Sequence, residues 1–415
     1  TNITCSTSFE NSRITILNGG EPHTVGDTLH AQVEMYDFTD RRKLYGGDFL
    51  LARIFSPRLG AASSIPDKVT FLGTFVSGKS SEVTQCHTFL KTTKQVCDYT
   101  DTHLNESWKC EKPSELPCSA LLTIKSYNKY QNVFNEEESK FFTSRGPGII
   151  IIKKHKVRHC SAPLRSTMNA AAGSYRELCK LYLLFNIGTY ILWQSTYCKT
   201  KQFKSPLSVL NCLKGKNVIL LGDSTIRQWW EYIVSFIKDL QVIDLHKPGK
   251  HQPKKAVNKS YNVTWQWFCH SYPFIASADT YPEDLKYVAN RIDNITGGSD
   301  TVLGICLGAH YTPFPLHVFE KRMCNIKAAV EKLLIRSPET KVIVKLANTR
   351  ENYGVGILNN WGTFRINQIL LEVFKNMNVA FVDAWDMTAV LNSAQVHPNL
   401  SIVKNQVNAF LSFIC

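Results

Sequence analysis

The sequence predicts an α/β domain in the C-terminal half of the chain and a β-sandwich near its beginning. Residues 217–221 form a short, continuously apolar run, as in strands buried on both faces of a parallel sheet. Apolar residues then recur at helical spacing from Ile226 to Leu240, and strand and helix patterns alternate after them. Such alternation is typical of an α/β sheet with helices on both faces. A chain of 415 residues is long enough for two domains with separate cores.

The first domain, residues 1–80, has the pattern of a β-sandwich. Apolar and polar residues alternate over 29–35 and 50–54, and Asn18-Gly19-Gly20 is a turn signal between strands. About five convincing strands precede Phe75, whereas a sandwich of this kind has about seven. We therefore expect a shortened, incomplete sandwich.

Residues 81–212 are rich in cysteine, irregular and basic, and we predict that they form a connector between the first domain and an α/β domain at 213–415. The densest basic run is 153–159. A solvated face and an anion-binding surface both remain open for this run, because clusters of like charge occur in either setting.

The thirteen cysteines predict an oxidising compartment. The chain has no CxxC pair and no spacing that fits a zinc ribbon, so we predict disulfides and assign no metal ligand. Asn-x-Ser/Thr sequons support the secretory pathway, with the Golgi lumen or the cell exterior as the destination. They lie at Asn2, Asn105, Asn258, Asn262, Asn294 and Asn399.

The net charge of +14 calls for an anionic partner. Nucleic acid, an anionic membrane and an acidic glycan or small molecule would all satisfy that charge, but an oxidising compartment argues against nucleic acid. The sequence has no run of 18 apolar residues, so we expect a soluble chain. Membrane association would require a leader or anchor outside this sequence.

The motif Gly222-Asp223-Ser224 is the first candidate for chemistry. It follows the predicted strand 217–221 and opens the next helix, where open α/β sheets place their ligands. Gly222 allows a tight turn, and Ser224 would present a hydroxyl beside free N–H groups that can hold an oxyanion. The structural alternative is that Asp223 or Ser224 only caps the helix, since both types are preferred caps.

His397, in Val396-His397-Pro398, is the candidate base. It lies in a predicted loop between the strand that ends near Asp383 and the last helix. A serine hydroxyl needs a neutral imidazole within hydrogen-bond distance to take its proton. An ordinary loop histidine is the alternative, but its pairing with Ser224 across one sheet favours a catalytic role.

Four segments together resemble the neurexophilin and PC-esterase domain family. They are Leu221-Gly222-Asp223-Ser224-Thr225-Ile226-Arg227-Gln228-Trp229, Leu307-Gly308-Ala309-His310-Tyr311-Thr312-Pro313-Phe314-Pro315, Val382-Asp383-Ala384-Trp385-Asp386-Met387 and Val396-His397-Pro398. The resemblance implies a three-layer α/β/α domain of the SGNH-hydrolase type. Residues 26–57 are similar to the family's N-terminal immunoglobulin-like or filamin-like sandwich, so the likeness covers nearly the whole chain.

The resemblance also implies an activity. It points to an O-acetyltransferase that moves an acetyl group from acetyl-CoA, through an acetyl-serine at Ser224, to a glycan hydroxyl. Sialic acid on mucin-type glycoproteins is the leading acceptor, and the Golgi lumen is the expected place. An acidic sugar and the anionic CoA would suit the basic chain, with Arg227 and the run 153–159 as anion contacts.

The chain departs from the family pattern at the acid of the triad. SGNH-type enzymes usually carry an aspartate three residues before the histidine, but position 394 is Ala394. We therefore expect Asp383 or Asp386, or a backbone carbonyl, to orient the imidazole. A Ser–His dyad without an acid also stays open.

The oxyanion hole is the second departure. By resemblance, Gly308 and His310 correspond to the block that supplies an oxyanion-hole side chain, and Thr312 replaces a common arginine. His310 would polarise the acyl oxygen, or it is a satisfied buried histidine. Gly249 is a weaker candidate for a second backbone donor. The strands that the family's sandwich normally has between Ser64 and Pro66 are missing.

Two other functions remain open from the sequence. With water as the acceptor, the same site would be a carbohydrate O-acetylesterase, because exclusion of water depends on the assembled pocket. The chain could also be a secreted, neurexophilin-like binding protein whose esterase half has lost its activity. The missing acid at position 394 supports that alternative.

Overall fold

A computed structural model describes two compact units. One comprises Thr1–Ala52 with Asn132–Ala170, and the other Arg53–Gln131 with Ala171–Cys415. The residues described are 7–17, 30–44, 68–129, 174–177, 191–194, 200–245, 251–275, 278–350, 360–389, 391, 393 and 395–415. None of the helices in these ranges has the length and apolar character needed to cross a bilayer.

In the first unit, two strands pair antiparallel: β1 (Thr7–Ile16) and β2 (Ala31–Asp37). They agree with the predicted β character of this part of the chain. The predicted strand at 50–54 and the region between Ser64 and Pro66 lie outside the described residues. The described residues of this unit thus show one strand pair, and the predicted sandwich stays a prediction.

The second unit begins with a five-stranded antiparallel sheet where the sequence predicted the end of one domain and an irregular connector. Its order is β5-β6-β4-β3-β7. The strands are β3 (Lys68–Ser77), β4 (Ser80–His87), β5 (Val96–Asp98), β6 (Lys109–Glu111) and β7 (Leu121–Lys129). The predicted boundary between residues 80 and 81 is wrong, because it falls inside the β3–β4 hairpin, whose turn contains Gly78 at φ +58°. The basic run 153–159 lies outside the described residues.

Disulfides, as predicted, hold this sheet together. Cys86 and Cys110 face each other across β4 and β6 and are bonded, and Cys97 is bonded to Cys118. A third bond joins Cys212 to Cys415 over a sequence separation of 203 residues. Three free cysteines occur among the described residues, of which Cys269 and Cys306 are buried and Cys324 is exposed. This bonding fits a secreted or lumenal protein.

The C-terminal part is built on a seven-stranded mixed sheet, which agrees with the predicted α/β class. Two short strands, β8 (Ser174–Glu177) and β9 (Ile191–Gln194), precede it as a separate pair. The order is β11-β12-β13-β10-β14-β15-β16, and the run from β13 to β16 is parallel. These strands are β10 (Asn217–Gly222), β11 (Gln241–Ile243), β12 (Lys254–Asn258), β13 (Val263–Cys269), β14 (Thr301–Cys306), β15 (Lys341–Lys345) and β16 (Ala380–Val382).

Seven α-helices accompany the sheet among the described residues. They are α1 (Pro206–Leu213), α2 (Ser224–Phe236), α3 (Val288–Asp293), α4 (Leu316–Arg336), α5 (Asn360–Val373), α6 (Ala384–Ala389) and α7 (Leu400–Ile414). Alternate residues of β10 belong to two hydrophobic clusters. Val218 and Leu220 lie in the cluster that contains α2 and α7, whereas Ile219 and Leu221 lie in the one that contains α3 and α4. Side chains of a strand point to opposite faces, so apolar clusters lie against both faces of the sheet.

The five-stranded sheet shares a core with the seven-stranded one. Phe71 and Trp108 of the small sheet region belong to the same cluster as Trp229 and Trp265. A buried ion pair reinforces this junction: Arg322 of α4 donates to Glu106 at 2.9 Å, and their side chains are 1% and 7% exposed. Residues 68–129 are thus an integral part of the unit that carries the candidate site.

Candidate active site

The site lies at the carboxyl end of β10. This strand has the parallel neighbours β13 on one side and β14 on the other, so the chain order reverses beside it. Open α/β sheets bind ligands at such a switch point. Gly222 ends the strand at φ +148°, and a Cβ on it would overlap the carbonyl oxygen of Cys306. Glycine is therefore required by both backbone angle and space.

Asp223 caps α2 and is fully buried. Its Oδ1 accepts from the backbone N–H of Thr225 at 2.8 Å and from the Thr225 hydroxyl at 2.7 Å. Its Oδ2 accepts from the N–H of Ala309 at 2.9 Å. Both carboxylate oxygens are thus occupied by protein donors, so the predicted substrate-binding role of Asp223 is replaced by a positioning role.

Ser224 and His397 are brought together as the sequence analysis proposed. Ser224 is the first residue of α2, and its Oγ lies 2.6 Å from Nε2 of His397. The two residues are separated by 173 positions in the sequence. His397 precedes α7, whose first turn is capped by the side chain of Asn399. The geometry is that of a hydroxyl placed to give its proton to an imidazole.

Burial lowers the pKa of His397, and the positive charges of Arg227 and Arg350 lower it further, while Asp223 acts in the opposite direction. The imidazole is therefore neutral at pH 7, which is the form that a general base requires. Arg350 lies close by and donates to the carbonyl oxygen of Ala309 at 2.7 Å. Burial lowers the pKa of this guanidinium to about 10.

The structure does not bring the proposed acids to the imidazole. Asp383 accepts from the backbone N–H of Asp386 at 2.9 Å at the start of α6, and no hydrogen bond joins either residue to His397 in the described ranges. Burial, and then the charge of Asp386, raises the pKa of Asp383 to about 6. Position 394 lies outside the described residues. The arrangement among described residues is a Ser–His pair without a carboxylate.

Backbone anchors hold the loop of His397 instead. The side-chain amide of Asn348 donates to the carbonyl oxygen of Val396 at 2.9 Å, and Gln228 donates to that of Pro398 at 3.3 Å. Thr349 donates its hydroxyl to the carbonyl oxygen of Ser393 at 2.7 Å. The two carbonyls that flank His397 therefore each accept from a side chain that lies elsewhere in the fold.

His310 is buried beside a second histidine, His270. Nδ1 of His270 lies 2.6 Å from the carbonyl oxygen of Ser271, which can only accept, so this nitrogen carries a proton. Burial lowers the pKa of His270 to about 4 and that of His310 well below its usual value, so both rings are neutral at pH 7. Nε2 of His270 then accepts from Nδ1 of His310 at 2.8 Å.

This tautomer contradicts the hypothesis that His310 polarises the acyl oxygen. A neutral ring has one N–H, and that of His310 is used on His270. Its Nε2 can accept a hydrogen bond but cannot donate one to an oxyanion. The alternative in the sequence analysis, a satisfied buried histidine, describes the residue, which is 6% exposed.

Gly308 and Gly249 were the glycines predicted to contribute to the oxyanion hole, and only Gly308 lies among the described residues. The backbone N–H of Gly308 lies near the buried thiol of Cys306, and the predicted role of Gly308 at the oxyanion hole stays a prediction. A Cβ at this position would lie 2.7 Å from Cβ of Ala347, which makes Gly308 a close-packing residue. Gly249 lies outside the described residues, so its predicted role stays a prediction. Thr312 is described, and its hydroxyl is buried with no partner in the described ranges.

Arg227 lies one turn after Ser224, with its side chain 12% exposed. Its Nε donates to Glu231 at 2.9 Å, and its guanidinium lies 5.4 Å from the centre of the Trp267 ring. Nη1 is buried and has no partner among the residues that the structure describes. The residue therefore carries a positive charge close to the Ser–His pair with donor capacity left over.

Sequence reasoning missed Asn348, Thr349, Lys345 and His270. Lys345 is the last residue of the apolar strand β15, and Asn348 lies three residues after it, at the edge where Ser224 lies; that position was the available signal. A charged residue within a buried strand end is unusual unless it has several partners, and Lys345 is fully buried. His270 directly follows β13, which ends at Cys269 on the same edge of the sheet.

The fold and the site define an α/β protein that holds a serine–histidine pair at the carboxyl end of a central parallel strand. The sequence model of the family described as "NXPE family member 4-like, C-terminal domain" matches residues 193–415. The chain belongs to this family, which is PC-esterase-like and therefore associated with acyl-ester chemistry. The match begins ahead of the predicted domain start at residue 213.

Proposed function

We propose that this protein is a serine-dependent O-acetyltransferase that moves an acetyl group from acetyl-CoA to a glycan hydroxyl, with sialic acid on mucin-type glycoproteins as the acceptor. The carrying observation is the 2.6 Å distance between Ser224 Oγ and His397 Nε2 at the end of β10. The proposal includes a three-layer α/β/α fold of the SGNH type. The apolar clusters against both faces of the sheet support that part of it.

In the first half of the reaction, Ser224 Oγ attacks the carbonyl carbon of the acetyl thioester and gives its proton to Nε2 of His397. The tetrahedral intermediate collapses as the carbon–sulfur bond breaks. His397 returns the proton to the departing CoA sulfur. The products are acetyl-Ser224 and CoA with its free thiol.

In the second half, a glycan hydroxyl attacks the carbonyl carbon of acetyl-Ser224. His397 takes the hydroxyl proton and then gives it to Ser224 Oγ as the ester bond to serine breaks. The acetyl group is left on the sugar oxygen, and the site returns to its starting state. The backbone N–H of Ser224 is the proposed oxyanion donor, because the first residues of a helix have no intrahelical acceptor.

Positive charge near the pair supports anionic substrates. Arg227 has an unpartnered Nη1 among the described residues, and Arg350 lies close enough to lower the pKa of His397. A carboxylate of sialic acid or a phosphate of CoA would match such groups. The basic run 153–159 is proposed as a further anion contact. The disulfides support a secreted or lumenal setting, within which we propose the Golgi lumen.

The test is to incubate the full chain with acetyl-CoA labelled in the acetyl group and to locate the label by peptide mapping. We expect label on Ser224 in the wild type and none in Ser224→Ala. Ser235→Ala is the matched control, because Ser235 lies on the same helix and donates to the carbonyl oxygen of Tyr232 at 2.8 Å. Addition of sialylated mucin should then discharge the label onto the glycan.

Two results would replace the proposal. If label on Ser224 is discharged to acetate equally fast with and without glycan, the protein is an esterase. If folded wild type takes no label and no acetyl ester labels Ser224, the protein is a binding protein with a non-catalytic esterase domain. In the described part of the chain no carboxylate is hydrogen-bonded to His397, and this observation makes the last outcome worth testing.

A further inference from the structure

We propose that Asn348 is a positioning residue that holds His397 on Ser224, in place of the carboxylate that this site lacks among the described residues. The inference rests on the proposed function for its catalytic meaning. Its geometric content, that Asn348 fixes the place of the imidazole, stands on the contacts alone.

The orientation of the Asn348 amide is determined by its neighbours. Lys345 Nζ lies 3.1 Å from one amide atom of Asn348, and an ammonium group can only donate. That atom is therefore Oδ1, and the other, Nδ2, donates to the carbonyl oxygen of Val396 at 2.9 Å. Val396 directly precedes His397, so this bond acts on the backbone that carries the imidazole.

A second chain of donors leads to the same assignment. The indole N–H of Trp229, which can only donate, lies 3.0 Å from Gln406, so the atom facing it is Oε1. Nε2 of Gln406 then donates to Oδ1 of Asn348 at 2.9 Å. Trp229 lies on α2, the helix that begins with Ser224, so the contacts run from that helix to the loop of His397.

Lys345 contacts both the residue next to Ser224 and the residue that holds the His397 loop. Its Nζ donates to the Thr225 hydroxyl at 3.3 Å, to the carbonyl oxygen of Leu346 at 3.2 Å and to Asn348 Oδ1. These three oxygen acceptors match its three N–H bonds, and Cys306 Sγ is a further acceptor at 3.9 Å, so the polar requirement of this fully buried ammonium group is met. Thr225 follows Ser224 directly. Lys345 therefore contacts the neighbour of the hydroxyl on one side and the anchor of the imidazole on the other.

The network is buried, and each polar side-chain atom of Asn348 and Gln406 has a hydrogen-bond partner. The exposed fractions of Asn348, Gln406 and Trp229 are 2%, 1% and 0%. Each amide has a donor facing its oxygen and an acceptor facing its nitrogen, so a rotation of Asn348 would leave buried groups unsatisfied. Together with Thr349, which holds the Ser393 carbonyl, it restrains the loop that an aspartate partner of His397 would otherwise restrain.

The first variant is Asn348→Asp. It keeps an acceptor for Lys345 and Gln406 but replaces the donor to Val396 with a second acceptor, so the loop carbonyl is repelled. The matched control is Asn408→Asp, because Asn408 is 3% exposed and bonds to Gln202 and Phe203, away from the His397 loop. A second pair keeps the test decisive if Asn348→Asp does not fold. Thr349→Val removes the hydroxyl donor, and Thr349→Ser restores it.

Two measurements are made on each folded variant. Nitrogen NMR of labelled histidine, with the His397 signal assigned by His397→Gln, reports whether the Ser224–His397 hydrogen bond and the titration of His397 change. Single-turnover acetylation of Ser224 reports the consequence. We expect altered His397 signals and a rate lower by about 10²-fold in Asn348→Asp, because a displacement of about 1 Å costs this much. The acetylation rate of Thr349→Val should also be lower than that of wild type, with altered His397 signals. Thr349→Ser and Asn408→Asp should resemble wild type in both measurements.

Unchanged His397 signals in Asn348→Asp and in Thr349→Val would overturn the inference, whatever the activity. An equal loss of rate in Asn348→Asp and Asn408→Asp would overturn it as well, because the effect would then be one of general stability. A wild type that is never acetylated would instead refute the proposed function, and the NMR comparison would still decide the role of Asn348.

Discussion

Asp223 and Ala309 are joined by a hydrogen bond of 2.9 Å that ties the start of α2 to the segment after β14. The same carboxylate holds Thr225 through its other oxygen. One side chain thus connects the start of the helix that carries Ser224 with the segment that follows β14. These two contacts give a structural reason for an aspartate in the middle of the Gly-Asp-Ser motif.

Asp223→Asn should disrupt the bridge while keeping size and shape. The asparagine amide oxygen can still accept from Thr225. Its NH₂ group would face the Ala309 N–H, so two donors would meet and both would be left without an acceptor. We expect a loss of about 1–3 kcal/mol in the free energy of unfolding, measured by urea denaturation, and a large loss of Ser224 acetylation. Asp383→Asn is the control, because Asp383 accepts from the backbone N–H of Asp386 at the start of α6 and makes no hydrogen bond to His397 among the described residues. A large rate loss in that control would instead support Asp383 as the acid of a triad.

Gly222→Ala should prevent the normal end of β10. The new Cβ would overlap the Cys306 carbonyl at a φ of +148°, so we expect a loss of about 2–4 kcal/mol in the free energy of unfolding. Gly215→Ala separates the effect of the backbone angle from that of steric overlap. Gly215 also has a positive φ, +73°, but no atom lies within 4 Å of a Cβ built on it. We expect about 1 kcal/mol there. Equal losses in the two variants would contradict the role of steric overlap.

The acetylation rate should depend on pH through His397. Its pKa is lowered by burial and by Arg227 and Arg350, so the rate should rise with pH, reach half its maximum below the ordinary histidine value of about 6.5, and stay flat at neutral pH. Arg227→Gln removes a positive charge, so the midpoint should move upwards. Lys375→Gln, on an exposed residue that pairs with Glu372, should leave it unchanged. A midpoint that does not move, or moves downwards, in Arg227→Gln would exclude this electrostatic account.

Stability should fall at acid pH because of the buried pair His270 and His310. Their folded-state pKa values lie below the unfolded value, so the unfolded chain binds protons first as the pH drops. The contribution of these histidines to the free energy of unfolding should therefore be constant above pH ~6.5. It should decline between pH ~6.5 and pH ~4, by up to about 1.4 kcal/mol per pH unit for each histidine. Urea denaturation of His310→Gln should show a shallower decline than wild type, whereas exposed His317→Gln should show the same one. An identical slope in His310→Gln would rule out the pair as the cause.

The sequence was informative where local pattern and position determine structure. The apolar run at 217–221 predicted the central strand, and the Gly-Asp-Ser motif behind it placed a hydroxyl at a helix start. His397 was found because imidazole is the base that a serine needs, and the structure brings the two within hydrogen-bond distance. These inferences needed only periodicity and the chemistry of two side chains.

The remaining contacts depend on the three-dimensional fold. Asn348 acts on Val396 across 48 positions, and His310 on His270 across 40, so neither spacing is a local signal. The tautomer that disqualifies His310 as a donor is set by a carbonyl on another strand end. The small sheet was taken for a connector because β5 and β6 have only three residues each, too few for a visible alternation.

The bond between Cys212 and Cys415 encloses both Ser224 and His397 in one covalent ring. Closing a ring of this size would cost the unfolded chain about 5 kcal/mol of conformational freedom. Because α1 and the end of α7 are the two joined points, thiol oxidation ties together the segments that lie before the hydroxyl and after the imidazole. Protein produced under reducing conditions would lack this tether, so a preparation should have its thiols counted before an absence of activity is attributed to its residues.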